Sequence, residues 1–295
     1  MKPSPSILSA TSRLFSSAVF RDLATKGRSA LFARLACEAG LIPTLNPIGT
    51  VGDLFDNAFA VLRRGENRDE YVYKAALTHK ILLGRHSLRT AVMLNEFRVG
   101  TSKADLVILN GTATVYEIKS ERDSLSRLEK QLCAYRDVFP SVYVMAGENH
   151  IASVISMTNS NDGILALSQR NQISVVRQAI DDPERLKPAA IFETLRADEA
   201  KFALAGLGIR LPAVPNTKLY GVLREAFEGL DRLSAHRAMV NSLKQKRDLR
   251  ALGDLVSQLP SSLQPAALSV PLRKIDHDRL VRAVGTPLRE ALAWA

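Results

Sequence analysis

Cysteine and tryptophan are scarce in this 295-residue chain, with two Cys and one Trp. Cys37 and Cys133 lie far apart, and so little cysteine excludes a disulfide framework or a multi-cysteine metal site. Both are expected to be buried thiols in a reducing, cytoplasmic setting. The five histidines, His79, His86, His150, His236 and His277, show no zinc-ligand spacing and are expected at the surface or as caps. No apolar run approaches the roughly 20 residues that cross a bilayer. The first 21 residues hold no acid but lack the continuous apolar segment of a secretory signal. A P-loop, a Gly-x-Ser-x-Gly elbow and a Rossmann glycine pattern are all missing, which argues against an intrinsic ATPase or serine-hydrolase site. Internal repeats and low-complexity tracts are missing too.

What is present is a basic, globular composition. The formal net charge is +10, which suits a polyanionic partner. The charge is uneven. Residues 1–65 carry 8 Lys and Arg against 4 acids, 66–215 carry 19 against 18, and 216–295 carry 13 against 8. The flanks, not the middle, supply most of any attraction to a phosphate backbone.

The middle holds the most informative stretch, Lys103-Ala104-Asp105-Leu106-Val107-Ile108-Leu109-Asn110-Gly111-Thr112-Ala113-Thr114-Val115-Tyr116-Glu117-Ile118-Lys119. Two apolar, β-rich runs meet at Asn110-Gly111. Side chains on a strand repeat every two residues, so Glu117 and Lys119 share one face and Ile118 points to the other. A two-residue turn would set Asp105 opposite Tyr116, on the wrong face for Glu117. A three-residue loop over 109–111, with Gly111 left-handed, sets Asp105 opposite Val115 and on the same face as Glu117. Joint action of the two carboxylates therefore predicts an odd-length loop. Two carboxylates and an ammonium gathered at strand ends suit a divalent metal with a cationic group beside an attacking water, the chemistry of phosphodiester hydrolysis.

Residues 120–139 read as a helix, with Asp123 as N-cap and Leu125, Leu128 and Leu132 on one side. Arg127, Gln131 and Tyr135 follow at intervals of four. The order of elements and the Asp…Glu-x-Lys pattern followed by Gln131-x-x-x-Tyr135 resemble the PD-(D/E)XK nuclease superfamily, in particular its RecB-type branch with a QxxxY motif. Short bacterial and prophage members of mostly unassigned role look similar. The resemblance covers roughly residues 66–180, with a helix over 70–83 and strands over 90–99, 141–146, 163–167 and 172–176. It implies an α/β fold: a restriction-endonuclease-like core with a central mixed β-sheet flanked by helices, plus N- and C-terminal helical extensions at 1–65 and 181–295.

The resemblance also implies roles. Asp105 and Glu117 would hold Mg²⁺ or Mn²⁺, hard cations that favour oxygen ligands, with the Ile118 carbonyl as a further ligand. Lys119 would assist the attacking water or the charge that builds on phosphorus. Gln131 and Tyr135 would position a phosphate or base, with Arg127 adding a charge contact or pairing with Asp123. The superfamily's helix-borne acid has two candidates, Glu70 first and Glu96 second. Position 104 is Ala where many members have Pro. The expected function is a metal-dependent deoxyribonuclease, with RNA left open as substrate. The alternative is a catalytically silent nuclease-fold protein that binds nucleic acid or a protein partner in a defence or repair complex.

The flanks read as helical. Apolar residues recur at helical spacing over 20–38, ended by Gly40 and Pro43, and 53–64 reads as another helix. Helices are also expected over 187–207 and 218–258, the latter carrying Lys244, Lys246, Arg247 and Arg250, a basic cluster that could track phosphates or form a solvated face. Two short helices over 276–284 and 287–294 could form a helix-turn-helix reader, as a sequence-specific regulator would need, with Trp294 as a packing anchor. The extensions could also carry a homodimer or protein-partner contact.

Overall fold

A computed structural model describes residues 3–41 and 49–295. The chain divides into two compact units, Met1–Ile81 with Arg250–Ala295, and Leu82–Leu249. The two ends of the chain thus build one unit, and the second is inserted between them.

The first unit begins with helices α1 (Pro5–Leu14), α2 (Ser17–Lys26), α3 (Ala30–Glu38), α4 (Val51–Leu62) and α5 (Glu70–Leu77). Ser4, Ser16, Ser29 and Thr50 each cap a helix by accepting a backbone N–H, and Thr50 with Asp53 completes a reciprocal capping box. Helix therefore begins at Pro5, within the first turn of described chain. The expected helix over 20–38 is two helices, because Gly27 takes a left-handed φ of 72° and ends α2. Pro43, expected to end that run, lies outside the described residues. The helix from Glu70 runs past Leu77 into a wider π turn, Thr78–Leu82. The core is aromatic. Phe15 stacks on Tyr71 at 4.5 Å and meets Phe55 edge-on at 5.5 Å. Trp294 lies 6.0 Å from Phe32, as a packing anchor should.

In the second unit a short α6 (Leu83–Arg85) leads to strands β1 (Val92–Val99), β2 (Ser102–Asn110) and β3 (Thr112–Lys119). There follow α7 (Leu128–Arg136), β4 (Ser141–Ala146), α8 (Ile151–Met157), β5 (Gly163–Leu167) and β6 (Ile173–Arg177). The strands form one six-stranded sheet in the order β1-β2-β3-β4-β5-β6. β1, β2 and β3 form an antiparallel meander, β3, β4 and β5 run parallel, and β6 returns antiparallel. This is the expected mixed sheet flanked by helices. The two parallel steps use α7 and α8 as crossovers, since parallel neighbours cannot be joined by a tight turn.

Beyond the sheet come α9 (Pro188–Phe192), α10 (Ala197–Gly206), α11 (Asn216–Glu228) and α12 (Arg232–Lys246). Phe192, Leu223, Phe227, Met239 and Leu243 lie in the same buried cluster as Val107, Val115, Leu132 and Val144. The sheet core thus continues across the boundary expected at 180/181. The chain then returns to the first unit with α13 (Gly253–Gln258), α14 (Gln264–Ser269), α15 (His277–Val284) and α16 (Leu288–Leu292). The expected helices over 187–207 and 218–258 are accordingly broken into shorter ones. Among the described residues, no helix is long and apolar enough to cross a membrane.

Candidate active site

The β2–β3 turn decides what the site contains. Asn110 pairs with Thr112 and Leu109 with Ala113, so the loop is odd in length and turns on Gly111, whose φ is 74°. The odd loop was expected, but the register is shifted by two residues. Continued one pair beyond Leu106 and Tyr116, it sets Asp105 opposite Glu117 rather than Val115. The two acids share a face either way, and here they are direct cross-strand neighbours.

The β1–β2 turn adds a third acid. Val99 pairs with Ser102 around Gly100-Thr101, and the constant register on either side of position 96 sets Glu96 opposite Asp105. That position alone is skipped in the ladder, because Glu96 takes a left-handed φ of 53°. Its carboxylate lies within 4.8 Å of that of Asp105, and Lys103 forms an ion pair with it. Glu96, Asp105 and Glu117 thus form one row across three neighbouring strands. Glu70, ranked first from sequence, begins α5 in the first unit and pairs with Lys74 at 2.6 Å. The Gly100-Thr101 turn is the sequence signal for the place of Glu96, since a two-residue turn there fixes the register.

Burial increases along the row. Glu96 is exposed, Asp105 half-buried and Glu117 only 1% exposed. Asp105 accepts the Ile118 N–H at 2.7 Å, which ties the carboxylate of β2 to the backbone of β3. Ile118 itself points into the opposite side of the sheet, pairs with Met145 and is buried. Lys119 donates to Glu117 at 2.7 Å and to the Gln131 side-chain oxygen at 3.1 Å. The Tyr135 hydroxyl lies 2.8 Å from the other Glu117 oxygen and 3.0 Å from the Lys103 carbonyl. Burial pushes the Glu117 carboxyl above its ordinary range, and Lys119, Tyr135 and Gln131 all act against that shift. Burial and the adjoining Glu117 push the Tyr135 phenol upward, so it stays protonated and can donate.

Several expected residues stand elsewhere or act differently. Asp123 does not cap α7, which starts at Leu128. It accepts the Ser120 N–H and hydroxyl, each at 2.7 Å, closing a turn after β3. Arg127 is exposed just before α7. Tyr135 is fully buried and faces Glu117 instead of solvent. The basic cluster disperses. Arg247 turns inward, holding Glu199 at 2.7 and 3.0 Å and covering the Phe97 ring at 5.4 Å. Lys246 lies over Phe202, Lys244 is half-buried, and Arg250 belongs to the first unit. His236, expected at the surface, is buried, and both cysteines, expected in the core, are exposed.

The sequence profile of the family described as bacteriophage P4 protein cII matches residues 63–252. The chain belongs to that family. A segment of 86 residues is 33% identical to Protein cII of Enterobacteria phage P4. The alignment covers 28% of this chain and 33% of that protein, so the chain matches about a third of its relative's length. No solved structure matches the chain. The cII family match contains the whole acid row, Lys119, Gln131 and Tyr135, together with the helices that complete the sheet core.

Proposed function

We propose that this protein is a metal-dependent nuclease that hydrolyses phosphodiester bonds of DNA. The observation that carries the reading is the row Glu96, Asp105 and Glu117 with Lys119 two residues beyond on the same strand face. An all-oxygen donor set of carboxylates from adjacent strands fits Mg²⁺ or Mn²⁺. Asp105 and Glu117 would hold the ion, with Glu96 beside Asp105 and the Ile118 carbonyl at the same strand end. A bound divalent ion supplies a more acidic water and a counter-charge for the phosphoryl oxygens.

The chain's own groups supply the rest. Lys119 brings a cation held in place by Glu117 and Gln131, suited to orienting a water or to stabilising the negative charge that builds on phosphorus. Tyr135 and the Ile118 N–H hold the two carboxylates in orientation before substrate arrives. Arg127 and Lys130 are exposed at the start of α7 and offer contacts to the phosphate backbone. This arrangement supports the resemblance to the PD-(D/E)XK superfamily read from the sequence.

The test is cleavage of labelled linear duplex, single-stranded and circular DNA with Mn²⁺, Mg²⁺ or EDTA, comparing the protein with its Lys119→Ala variant. Metal-dependent cutting that disappears in the variant is the expected result. Tight DNA binding without cutting on any substrate overturns it and assigns the site to a silent nuclease-fold binder.

A further inference from the structure

Gln131 and Tyr135 stand one helical turn apart on α7, a spacing that would let two side chains reach out together and grip a substrate. Their surroundings say otherwise. Tyr135 has no exposed surface, and its hydroxyl reaches the Glu117 carboxylate and the Lys103 carbonyl. A phenol carries one hydrogen, and the carboxylate is both the nearer and the more basic acceptor. Gln131 is half-buried, its oxygen accepts from Lys119, and it acts to lower the Glu117 carboxyl against the rise that burial causes. The polar contacts of these two side chains are thus with Glu117, Lys119 and the strand β2 backbone.

We infer that Gln131 and Tyr135 are positioning residues that hold Glu117 and Lys119 in a fixed mutual orientation, and that neither contacts nucleic acid. Glu117 would otherwise be free to turn about its side-chain torsions and fold entirely onto Lys119. The tyrosine fixes one carboxylate oxygen from the helix side while Lys119 holds the other, so the plane of the carboxylate is set by two opposed donors. Gln131 in turn fixes the ammonium between two oxygens, its own and that of Glu117. The buried face of α7 therefore braces the site.

The inference rests on the nuclease reading, and the two fail differently. Mn²⁺ affinity by electron paramagnetic resonance, DNA affinity in EDTA, and kcat and KM for cleavage are measured for the unmodified protein, Tyr135→Phe and Gln131→Ala. Folding of each is checked by circular dichroism. Tyr135→Phe removes one hydroxyl and keeps the ring, so the core is preserved. The expected result is about a 10- to 100-fold weaker Mn²⁺ affinity or lower kcat in each variant, with KM and metal-free DNA affinity changed by less than about two-fold. Weaker DNA affinity with Mn²⁺ binding and kcat intact makes the pair a substrate grip and overturns the inference while leaving the nuclease reading standing. Variants indistinguishable from the unmodified protein overturn it equally. An unmodified protein that neither binds Mn²⁺ nor cuts removes the nuclease reading, and the positioning role with it.

Discussion

Replacing Lys119 by Met should unsettle the fold as well as the chemistry, and the two effects can be separated. The Lys119 side chain is 7% exposed and that of Glu117 is 1% exposed, with their charges 2.7 Å apart. Removing one partner of such a pair leaves a buried charge without compensation, a loss of about 3 to 5 kcal/mol. Tyr135 still donates to Glu117, so the lower end of that range is expected. Glu117→Gln combined with Lys119→Met removes both charges and should recover about 2 kcal/mol of the loss, since a neutral buried pair of similar volume carries little penalty. The assay is urea unfolding at pH 7 of the unmodified protein, Lys119→Met, Glu117→Gln and the double variant. The one tryptophan, Trp294, lies in the first unit, so far-UV circular dichroism and amide exchange in β3 are the appropriate probes of the second. Losses that simply add in the double variant, or a single variant within about 1 kcal/mol of the unmodified protein, would refute the reasoning. The double variant also serves function: restored stability without restored cutting shows that the lost activity comes from the chemistry of the Glu117 and Lys119 pair and not from unfolding.

His236 is buried on α12, and burial pushes its imidazole down to about 4, with Asp181 acting in the opposite direction. The folded state favours the neutral ring, so the stability this contributes is present above about pH 6.5 and is lost as pH falls towards 4, by up to about 3 kcal/mol. His236→Leu should flatten unfolding free energy over that window, and an unchanged slope would count against the assignment. Gly163 begins β5, where an added Cβ would lie 2.2 Å from the Tyr143 ring. Gly163→Ala should cost about 1 to 3 kcal/mol in thermal unfolding, with partial recovery on adding Tyr143→Leu. Asp162 is fully buried and is gripped by Arg136, with Arg185 at 3.8 Å. Asp162→Asn leaves these guanidinium groups facing a neutral amide and should lower stability by about 3 kcal/mol, checked by chemical denaturation.

The sheet was legible because its strands are short apolar runs bounded by turn residues, and β4 and β5 fall where the pattern places them. Gly111 was legible for a steric reason: an odd loop needs a left-handed residue, and glycine stands there. The helices were less legible. The apolar spacing over 20–38 continues through Gly27 without a gap, so periodicity alone could not place the break. The fate of Arg247 was hidden too, because an arginine in a basic run carries no mark of the distant Glu199 and Phe97 it will meet. Asp105, Glu117 and Lys119 could be placed on one sheet face from sequence because strand alternation is local. The place of Glu96 was less legible, because it depends on the β1–β2 register, a pairing between strands.

The graded burial of the acid row explains how the sheet tolerates it. Glu96 lies on the edge strand β1, where an exposed carboxylate keeps its water and needs only Lys103 nearby. Asp105, one strand in, is half-buried and takes a backbone N–H. Glu117, two strands in, has lost its water and is met by an ammonium and a phenol. Each inward step replaces hydration with a stronger protein donor, as the cost of desolvating a carboxylate requires. On β4 the next position in the row is Val144. There the strand lies in the middle of the sheet and is buried throughout, so a fourth charge would have neither water nor a partner. The most exposed carboxylate of the row is therefore the one on the β1 edge.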